Sequence, residues 1–326
     1  MKAISFENGA MRVIEKDVPR PGPGEALIKT RCAGICNTDI ELFKGYMGFS
    51  GTPGHEAAGV VEQAPGAPEW EGARVCCDIN WGVEPWTSRH GGDARHCPGR
   101  KVLGILNWDG TFTDYFLAPL SNLHRIPDNV SDDEAVFAEP LAAALEISQQ
   151  LHLTADMKVL VLGDGKLGLL CACALRRYCP KLVLAGKHEE KLAIAAAQKV
   201  ATRHIPDPAA LPGKLLGAFG PFDLVVEATG APEGIAYALD LVRPEGTIVA
   251  KTTSHAPSSI NLAKLVVDEI TVTGSRCGNT GLALSFLGDR MLDPRPLIET
   301  RYPFARFEEA FARASRKGAL KVLVDF

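Results

Sequence analysis

The segment KVLVLGDGKLG, residues 158–168, constrains the fold more than any other part of the chain. An apolar run typical of a buried strand leads directly into a G-x-G-x-x-G loop and then into a helical pattern. Glycine at these positions permits a tight turn and lets the backbone approach a pyrophosphate, while a helix N-terminus favours negative charge. The spacing also occurs in plain structural turns, but its place between a strand and a helix favours dinucleotide binding. The residues predicted to contact the dinucleotide here are Gly163, Gly165, Lys166, Leu167 and Gly168.

The pattern of apolar runs divides the 326-residue chain into about two domains. Across residues 146–285, strand-like runs such as KLVLAG and GTIVAKT alternate with helical patterns. This alternation predicts a doubly wound parallel sheet with helices on both faces. Residues 1–145 contain short β-type runs separated by Gly and Pro, typical of a compact, mostly antiparallel β domain. In residues 286–326 an amphipathic helix precedes a strand-like end, which we expect to close the sheet or return to the first domain.

The end of the second strand of the doubly wound region bears on the choice of dinucleotide. A site selective for NAD normally carries Asp or Glu there, for the ribose hydroxyls. In LVLAGKHEEK that position is Gly186, followed by Lys187. A missing carboxylate removes repulsion toward a 2′-phosphate, and a lysine supplies attraction. The sequence therefore predicts NADP(H), with NAD(H) as the alternative if Lys187 and Lys191 are ordinary solvated lysines.

Charge and composition narrow the classes of partner. The 35 basic and 39 acidic residues give a formal net charge of −4, and there is no long basic run. Nucleic acids and anionic membranes are therefore poor candidates, and a small molecule is favoured. The start of the chain lacks the apolar core of a signal peptide, and no stretch approaches the roughly 18 apolar residues of a membrane span. A cytoplasmic location is expected, and the odd set of nine cysteines suits reduced thiols.

Four side chains from three separate segments form a candidate metal site. They supply sulfur, nitrogen and oxygen, a set that suits zinc, and a catalytic zinc uses three protein ligands and keeps one position open. Each also has an ordinary interpretation as a core thiol, a turn histidine or a carboxylate at a helix start. Spacing alone does not decide between the two. The candidate ligands are Cys36, His55, Glu56 and Glu139.

The motifs GICNTD, GHEAAGVV, AEPL, VLVLGDGKLG and KVLV occur in the order seen in zinc-dependent medium-chain dehydrogenases. Over nearly its whole length the chain resembles the branch that contains sorbitol, threonine and glucose dehydrogenases. The resemblance implies an α/β protein with a GroES-like, zinc-binding catalytic domain in residues 1–145. It also implies a Rossmann-type domain in residues 146–285 and a return segment in residues 286–326 that completes the catalytic domain. Homodimers or homotetramers are usual among such proteins.

The resemblance also assigns roles to individual residues. Cys36, His55 and a glutamate would hold one catalytic zinc, with Glu56 and Glu139 as competing or exchanging carboxylates. Asp39 would orient His55, and Thr38 would begin a proton relay, with a local turn hydroxyl as its alternative role. Glu41 stands where relatives often have histidine and would either receive that proton or be bypassed. Lys321 would neutralise Asp39, with ordinary surface exposure as the alternative. Thr229 and Arg276 would contact the cofactor near the nicotinamide. They add to the loop glycines, Gly186 and Lys187 as predicted cofactor-binding residues.

One departure from the family pattern concerns a second metal. Relatives often carry a structural zinc on C-x-x-C-x-x-C-x7-C spacing. Counting back from Cys97, the positions expected to be cysteine are Val83, Trp86 and Arg89. One thiolate cannot make a closed four-ligand site, so no structural zinc is expected.

The expected reaction is reversible oxidation of a secondary alcohol or polyol to a ketone, with zinc polarising the substrate oxygen and hydride passing to the nicotinamide. One alternative is a zinc-free quinone or enone reductase that uses NADPH on a C=C bond. The other is a non-enzymatic NADP-binding regulator.

Overall fold

A computed structural model describes the chain except for three short gaps, and it divides into two compact units. The described residues are 1–7, 9–207, 210–253 and 256–326. Unit 1 comprises residues 1–139, 279–290 and 294–326, and unit 2 comprises residues 140–278 and 291–293. Within the described ranges, no helix has the length and apolar character needed to cross a bilayer.

Unit 1 is built on strands contributed by both ends of the sequence. Its strands are β1 (Lys2–Glu7), β2 (Ala10–Glu15), β3 (Glu25–Ile35), β4 (Glu56–Gln63), β5 (Arg74–Cys77), β6 (Asn80–Trp81), β7 (Lys101–Val102), β8 (Tyr115–Pro119), β9 (Leu123–Arg125), β16 (Ile298–Pro303) and β17 (Lys321–Asp325). In the described part, a seven-stranded sheet has the order β16-β17-β3-β4-β5-β9, and β8 also pairs with β3. Only the β16–β17 pair in this sheet is parallel. The long strand β3 therefore contacts strands from three distant parts of the chain.

Short helices flank this sheet. They are α1 (Asn37–Phe43), α2 (Trp86–Arg89), α3 (Asp132–Ala135), α10 (Thr280–Gly288) and α11 (Phe307–Ala314), with 3₁₀ turns at Tyr46–Gly48, Pro68–Trp70, Leu120–Asn122, Arg295–Leu297 and Phe304–Arg306. Along α11, Phe307, Ala310, Phe311 and Ala314 are buried with helical spacing. They join a core that includes residues of β1, β3 and β17. The amphipathic helix and strand predicted in residues 286–326 are α11 and β17.

Residues 80–102, here called the lobe, contain the positions compared with a structural zinc site. The rings of Trp86 and His90 are stacked with centroids 3.8 Å apart. Nε1 of Trp86 donates a hydrogen bond to the carbonyl of Asp93 at 3.0 Å. Cys97 is buried, and its Sγ lies 3.8 Å from the carbonyl oxygen of Val83. Ring stacking and hydrogen bonds thus connect the segments that a metal joins in proteins with four cysteines.

Unit 2 contains the predicted doubly wound parallel sheet. Its strands are β10 (Val159–Leu162), β11 (Leu182–Gly186), β12 (Ala201–His204), β13 (Phe222–Glu227), β14 (Val242–Ala250) and β15 (Thr271–Gly274). Among the described strands the order is β12-β11-β10-β13-β14-β15, and all neighbours are parallel. The order reverses between β10 and β13, and ligands of open α/β sheets bind beyond the carboxyl ends of strands at such a switch point.

Helices cover the sheet of unit 2. They are α4 (Ala138–Gln150), which starts at the end of unit 1, α5 (Lys166–Leu175), α6 (Glu189–Ala197), α7 (Leu211–Phe219), α8 (Gly234–Leu241) and α9 (Leu262–Val267). All four residues of β10 are fully buried, as expected for a parallel strand covered on both faces. The fold class predicted from the alternating pattern is confirmed.

Candidate metal centre and dinucleotide-binding loop

Cys36 lies at the junction of β3 and α1, where it is the N-cap residue of the helix. Oδ2 of Asp39, three residues later, accepts a hydrogen bond of 2.8 Å from the backbone N–H of Cys36. This is the reciprocal half of a capping box, which fixes the turn that carries the thiol. Asp39 is fully buried, whereas Cys36 is half-buried.

His55 and Glu56 stand where the chain enters β4 from a loop. The preceding Gly54 has φ of +99°, and a Cβ there would lie 2.8 Å from the ring of Phe112. Glycine is required for both reasons. The ligand atoms of Cys36, His55 and Glu56 all lie within 4.8 Å of one another, and the two β4-side residues are buried. A thiolate, an imidazole and a carboxylate at this spacing fit a zinc ion.

Asp39 also lies beside His55. Nδ1 of His55 is 3.4 Å from Oδ1 of Asp39, an ion-pair distance that is long for a hydrogen bond. Burial lowers the pKa of His55, but the Asp39 carboxylate and the Cys36 thiol outweigh burial and hold this pKa well above its usual value. A carboxylate facing Nδ1 favours the proton on that nitrogen, which leaves Nε2 to bind a metal.

Lys321 forms a buried ion pair with Glu56, so the prediction that it neutralises Asp39 is wrong. Its Nζ contacts Oε2 of Glu56, and both side chains are at most 2% exposed. Burial alone would lower the pKa of Lys321, but the charge of Glu56, with smaller contributions from Cys36 and Glu139, raises it. Gly34 of β3 pairs with Glu56 on one side and with Leu323 on the other. A Cβ on Gly34 would lie 2.8 Å from Oε2 of Glu56, so this glycine leaves the space that the ion pair fills.

The remaining residues predicted for the metal and the proton relay have different surroundings. Sγ of Cys36 lies 3.7 Å from Oγ1 of Thr38. Glu41 forms an ion pair with Lys44 at 2.9 Å and is 38% exposed, and no described contact joins it to Thr38 or Cys36. Glu139 is near enough to Lys321 to affect its pKa, but it lies outside the group of three ligand atoms within 4.8 Å.

The three glycines of the loop in unit 2 have different physical roles. Gly163 has φ of +108°, and a Cβ there would lie 2.4 Å from the carbonyl oxygen of Ala228. A Cβ on Gly168 would lie 1.9 Å from the carbonyl oxygen of Gly163. By contrast, nothing lies within 4 Å of a Cβ on Gly165. The open space at Gly165, at the N-terminus of α5, is where a pyrophosphate would approach Lys166 and Leu167.

Thr229 and Arg276 follow the carboxyl ends of β13 and β15. Oγ1 of Thr229 donates a hydrogen bond of 2.6 Å to Glu227. The carbonyl oxygen of Arg276 accepts one of 3.2 Å from Nζ of Lys251. Both residues lie on the ligand-binding edge of the sheet, on the same edge as the glycine loop.

The end of β11 carries an acidic group that the sequence pattern did not predict. Asp164, between the first two glycines of the loop, places its carboxylate there and accepts hydrogen bonds from the N–H groups of Lys187 and His188. The NADP(H) prediction assumed that no carboxylate lies beside Gly186, and that premise is wrong. The signal that could have revealed it is an aspartate inside the loop together with a glycine at the strand end.

Comparison with known proteins identifies the family. Residues 22–128 match the alcohol dehydrogenase GroES-like domain, and residues 167–286 match the zinc-binding dehydrogenase domain. An L-threonine 3-dehydrogenase from Streptomyces coelicolor is 30% identical over 354 residues, which cover 100% of this chain and 99% of the relative. The chain belongs to the zinc-type medium-chain alcohol dehydrogenase family. A sorbitol dehydrogenase from Halalkalibacterium halodurans is 28% identical to this medium-chain dehydrogenase over 341 residues, 99% of each chain.

Solved structures of the family agree with the fold over the full length. An alcohol dehydrogenase from E. coli CFT073, complexed with NADH, has a TM-score of 0.92 at 26% identity and covers 100% of this chain and 99% of its own. A protein from Sinorhizobium meliloti 1021, described as a zinc-binding dehydrogenase and bound to NADP, has a TM-score of 0.89 at 26% identity with the same coverage. Both cofactors therefore occur among proteins similar to this dehydrogenase.

Proposed function

We propose that this dehydrogenase catalyses the reversible oxidation of a secondary alcohol or polyol to a ketone, with a nicotinamide dinucleotide as hydride acceptor. The observation that carries the proposal is the group formed by Cys36, His55 and Glu56, whose ligand atoms lie within 4.8 Å of one another. Two similar proteins are named for the oxidation of sorbitol and of threonine, and both substrates carry secondary hydroxyls.

In the proposed site, Cys36, His55 and a glutamate would hold one catalytic zinc, with Glu56 and Glu139 as the competing or exchanging carboxylates. When bound, the ion supplies a Lewis acid for the substrate oxygen. Asp39 orients the imidazole of His55, a contact expected beside a metal-binding histidine. Lys321 compensates the buried charge of Glu56 while that carboxylate is not a ligand.

Proton transfer is assigned to Thr38, whose hydroxyl is next to the thiol of Cys36. The sequence left open whether Glu41 receives this proton or is bypassed. The ion pair of Glu41 with Lys44 at the surface gives a receiving role no support. We therefore propose that the proton leaves Thr38 without Glu41.

Cofactor binding is assigned to the glycine loop, with Thr229 and Arg276 near the nicotinamide, in a Rossmann-type domain spanning about residues 146–285. Residues 1–145 and 286–326 form the catalytic domain. Of the two lysines behind the predicted preference for NADP, Lys187 is exposed and Lys191 is buried, and the carboxylate of Asp164 opposes that preference. A single zinc per chain and a cytoplasmic location complete the proposal.

We propose that two copies associate through residues 260–272 of unit 2. Among described residues, five of the eleven exposed large apolar side chains lie there, including Leu262, Val266 and Val267, which are 63–79% exposed. In the described sheet, β15 is an edge strand that pairs only with β14. An edge strand beside apolar side chains is suited to pairing with its own copy about a twofold axis.

A cofactor-reduction screen tests the reaction. Polyols, sugars and amino alcohols are offered with NAD and with NADP, side by side. Oxidation of at least one secondary alcohol is the expected result. Reduction of quinones or enones without alcohol oxidation would replace the proposal by a zinc-free reductase. Tight dinucleotide binding without turnover of any substrate would indicate a regulator.

Metal analysis of two cysteine variants tests the zinc site and the zinc count together. Cys36→Ser is expected to lose nearly all bound zinc and alcohol oxidation, because it removes the thiolate ligand. Cys97→Ser is the matched control, since Cys97 is buried in the lobe, away from the group of three, and is expected to keep one zinc per chain. Zinc retained in Cys36→Ser would contradict the assignment, and zinc lost in Cys97→Ser would reveal a second site.

A further inference from the structure

The end of β11 carries a carboxylate that comes from a different strand. Asp164 belongs to the loop after β10, yet its Oδ2 accepts hydrogen bonds from the backbone N–H of Lys187 at 2.7 Å and of His188 at 2.6 Å. Those two residues immediately follow Gly186, the last residue of β11. Asp164 is only 7% exposed. The carboxylate is thus fixed at the position where NAD-selective doubly wound sheets hold an acid for the adenosine ribose.

Gly186 is the residue that gives Asp164 this room. A Cβ at position 186 would lie 2.5 Å from both Cβ and Oδ2 of Asp164. Real side-chain carbons do not approach each other so closely, so any larger residue at 186 displaces the aspartate. Asp164 therefore supplies the acid at this position, and Gly186 supplies the space for it.

The hydrogen bonds of Asp164 leave it able to accept another. An ionised carboxylate has about four lone-pair sites on its two oxygens. Oδ2 receives both backbone N–H groups, and Nδ1 of His188 lies 3.1 Å from each of the two carboxylate oxygens. The His188 side chain is 45% exposed and can turn toward solvent. Oδ1 can accordingly receive a ribose hydroxyl while Oδ2 keeps the carboxylate in place.

The same contacts oppose a 2′-phosphate. The backbone N–H groups after the second strand are donors that an anionic phosphate would use, and Asp164 already satisfies those of Lys187 and His188. A phosphate monoester carries a charge of about −1.5 to −2 at neutral pH. Placing it against a buried carboxylate brings like charges together where solvent screening is weak. The exposed Lys187 side chain supplies one screened positive charge in return.

We propose that Asp164 selects NAD(H) over NADP(H) by accepting a hydrogen bond from the 2′-hydroxyl of the adenosine ribose, with Gly186 leaving the space for its side chain. The inference rests on the proposed function only in requiring that unit 2 binds a nicotinamide dinucleotide. Asp164 acts on the adenosine half of the cofactor and takes no part in the hydride transfer.

The test is equilibrium binding by calorimetry on the purified full chain. The four probes are NADH, NADPH, ADP-ribose and 2′-phospho-ADP-ribose. The ADP-ribose pair lacks the nicotinamide, so its result does not depend on zinc, on substrate or on turnover. The wild-type chain is expected to bind each unphosphorylated probe at least about tenfold more tightly than its 2′-phosphorylated partner, a difference of about 1.4 kcal/mol.

The variant Asp164→Asn removes the charge and keeps a carbonyl oxygen for the two N–H donors. The ratio of the two dissociation constants is expected to fall by about tenfold or more. Asp240→Asn, an exposed position on α8 in the same unit, removes the same charge elsewhere and is expected to keep the wild-type ratio. If Asp164 only braced the loop, Asp164→Asn would weaken all four probes equally, so an unchanged ratio overturns the proposal.

A second experiment moves the acid from position 164 to position 186. Gly186→Asp alone is expected to weaken every probe, because the new side chain collides with Asp164. The double variant Asp164→Gly/Gly186→Asp is expected to recover selectivity for the unphosphorylated probes. Wild-type protein that binds NADPH as tightly as NADH, or a double variant that prefers the phosphorylated probes, contradicts the inference. A chain that shows the predicted ratios but oxidises no alcohol would reject the proposed function and leave this inference standing.

Discussion

Glu56, a candidate metal ligand, and Lys321 form a buried ion pair. Each side chain is at most 2% exposed, and each would be costly to bury alone. Their contact joins the start of β4 to the start of β17, which are 265 positions apart in the sequence. Lys321 thus balances the buried charge of a potential zinc ligand.

Replacing Lys321 by methionine is expected to destabilise unit 1 by about 3–5 kcal/mol, because the Glu56 carboxylate is left buried without its cation. All four tryptophans lie in unit 1, so urea unfolding of metal-depleted protein followed by tryptophan fluorescence reports that unit. The double variant Glu56→Gln/Lys321→Met removes both charges and is expected to recover most of the loss. Equal stability of the single and double variants would show that the charges are not coupled.

Residues near one another in sequence were the predictable part of the site. Cys36 with Asp39, and His55 with Glu56, stand in short motifs whose local turns are set by a helix cap and by Gly54. Lys321 was predicted to pair with Asp39. It pairs with Glu56 instead, in space left by the missing side chain of Gly34. The position of the Asp164 side chain was not predicted either, because it occupies the space left by the missing side chain of Gly186. A sequence shows a glycine but not which distant group fills its space.

At the turn from β10 into α5, packing requires glycine at 163 and 168, whereas Gly165 is the glycine proposed to face the cofactor. Gly163→Ala is expected to destabilise unit 2 by about 1–3 kcal/mol, since it combines a positive φ with a collision against the carbonyl of Ala228. Gly165→Ala meets no atom within 4 Å, so it is expected to keep its stability and lose dinucleotide affinity. Thermal unfolding by far-UV circular dichroism and NADH binding separate the two effects. Equal melting temperatures would contradict this division of roles.

The helix α3 makes part of the stability of unit 1 dependent on pH. Burial raises the pKa of Glu134, but the N–H and hydroxyl of Ser131 and the guanidinium of Arg290 outweigh it and keep the pKa below its ordinary 4.5. A carboxylate with a depressed folded-state pKa stabilises above its unfolded value, and the contribution is lost as the pH falls through the folded pKa.

Glu134→Gln is therefore expected to cost about 1–2 kcal/mol at pH 7 and to approach the wild type toward pH 3. Tryptophan-monitored urea unfolding across that range measures the difference. Glu308→Gln, at an exposed position of α11 in the same unit, serves as the control and is expected to follow the wild-type profile. A cost for Glu134→Gln that stays constant down to pH 3 would contradict the charge-based explanation.

The strands and helices of unit 2 were predictable because apolar runs of a parallel sheet alternate with helical patterns. For unit 1, only the fold class, a mostly antiparallel β domain, was predictable from the sequence. Its strands pair across long separations, as β17 with β3 and β8 with β3, and no local pattern specifies such partners.

For the whole molecule, the apolar surface at residues 260–272 predicts self-association. The double variant Leu262→Lys/Val267→Lys is expected to convert the oligomer into monomer, because two charges replace apolar side chains that are 65% and 79% exposed in the single chain. Val13→Lys changes a valine of unit 1 that is 49% exposed and is expected to keep the native mass. Light scattering after size-exclusion chromatography measures both. A monomeric wild type would reject the interface.

The position of β17 between β16 and β3 has a consequence for biosynthesis. All of unit 2 is synthesised while the sheet of unit 1 still lacks an interior strand. Glu56 can pair with Lys321 only after translation has added a further 265 residues. The surroundings of Cys36 and His55 therefore reach their final charge balance only after residue 321 has been synthesised.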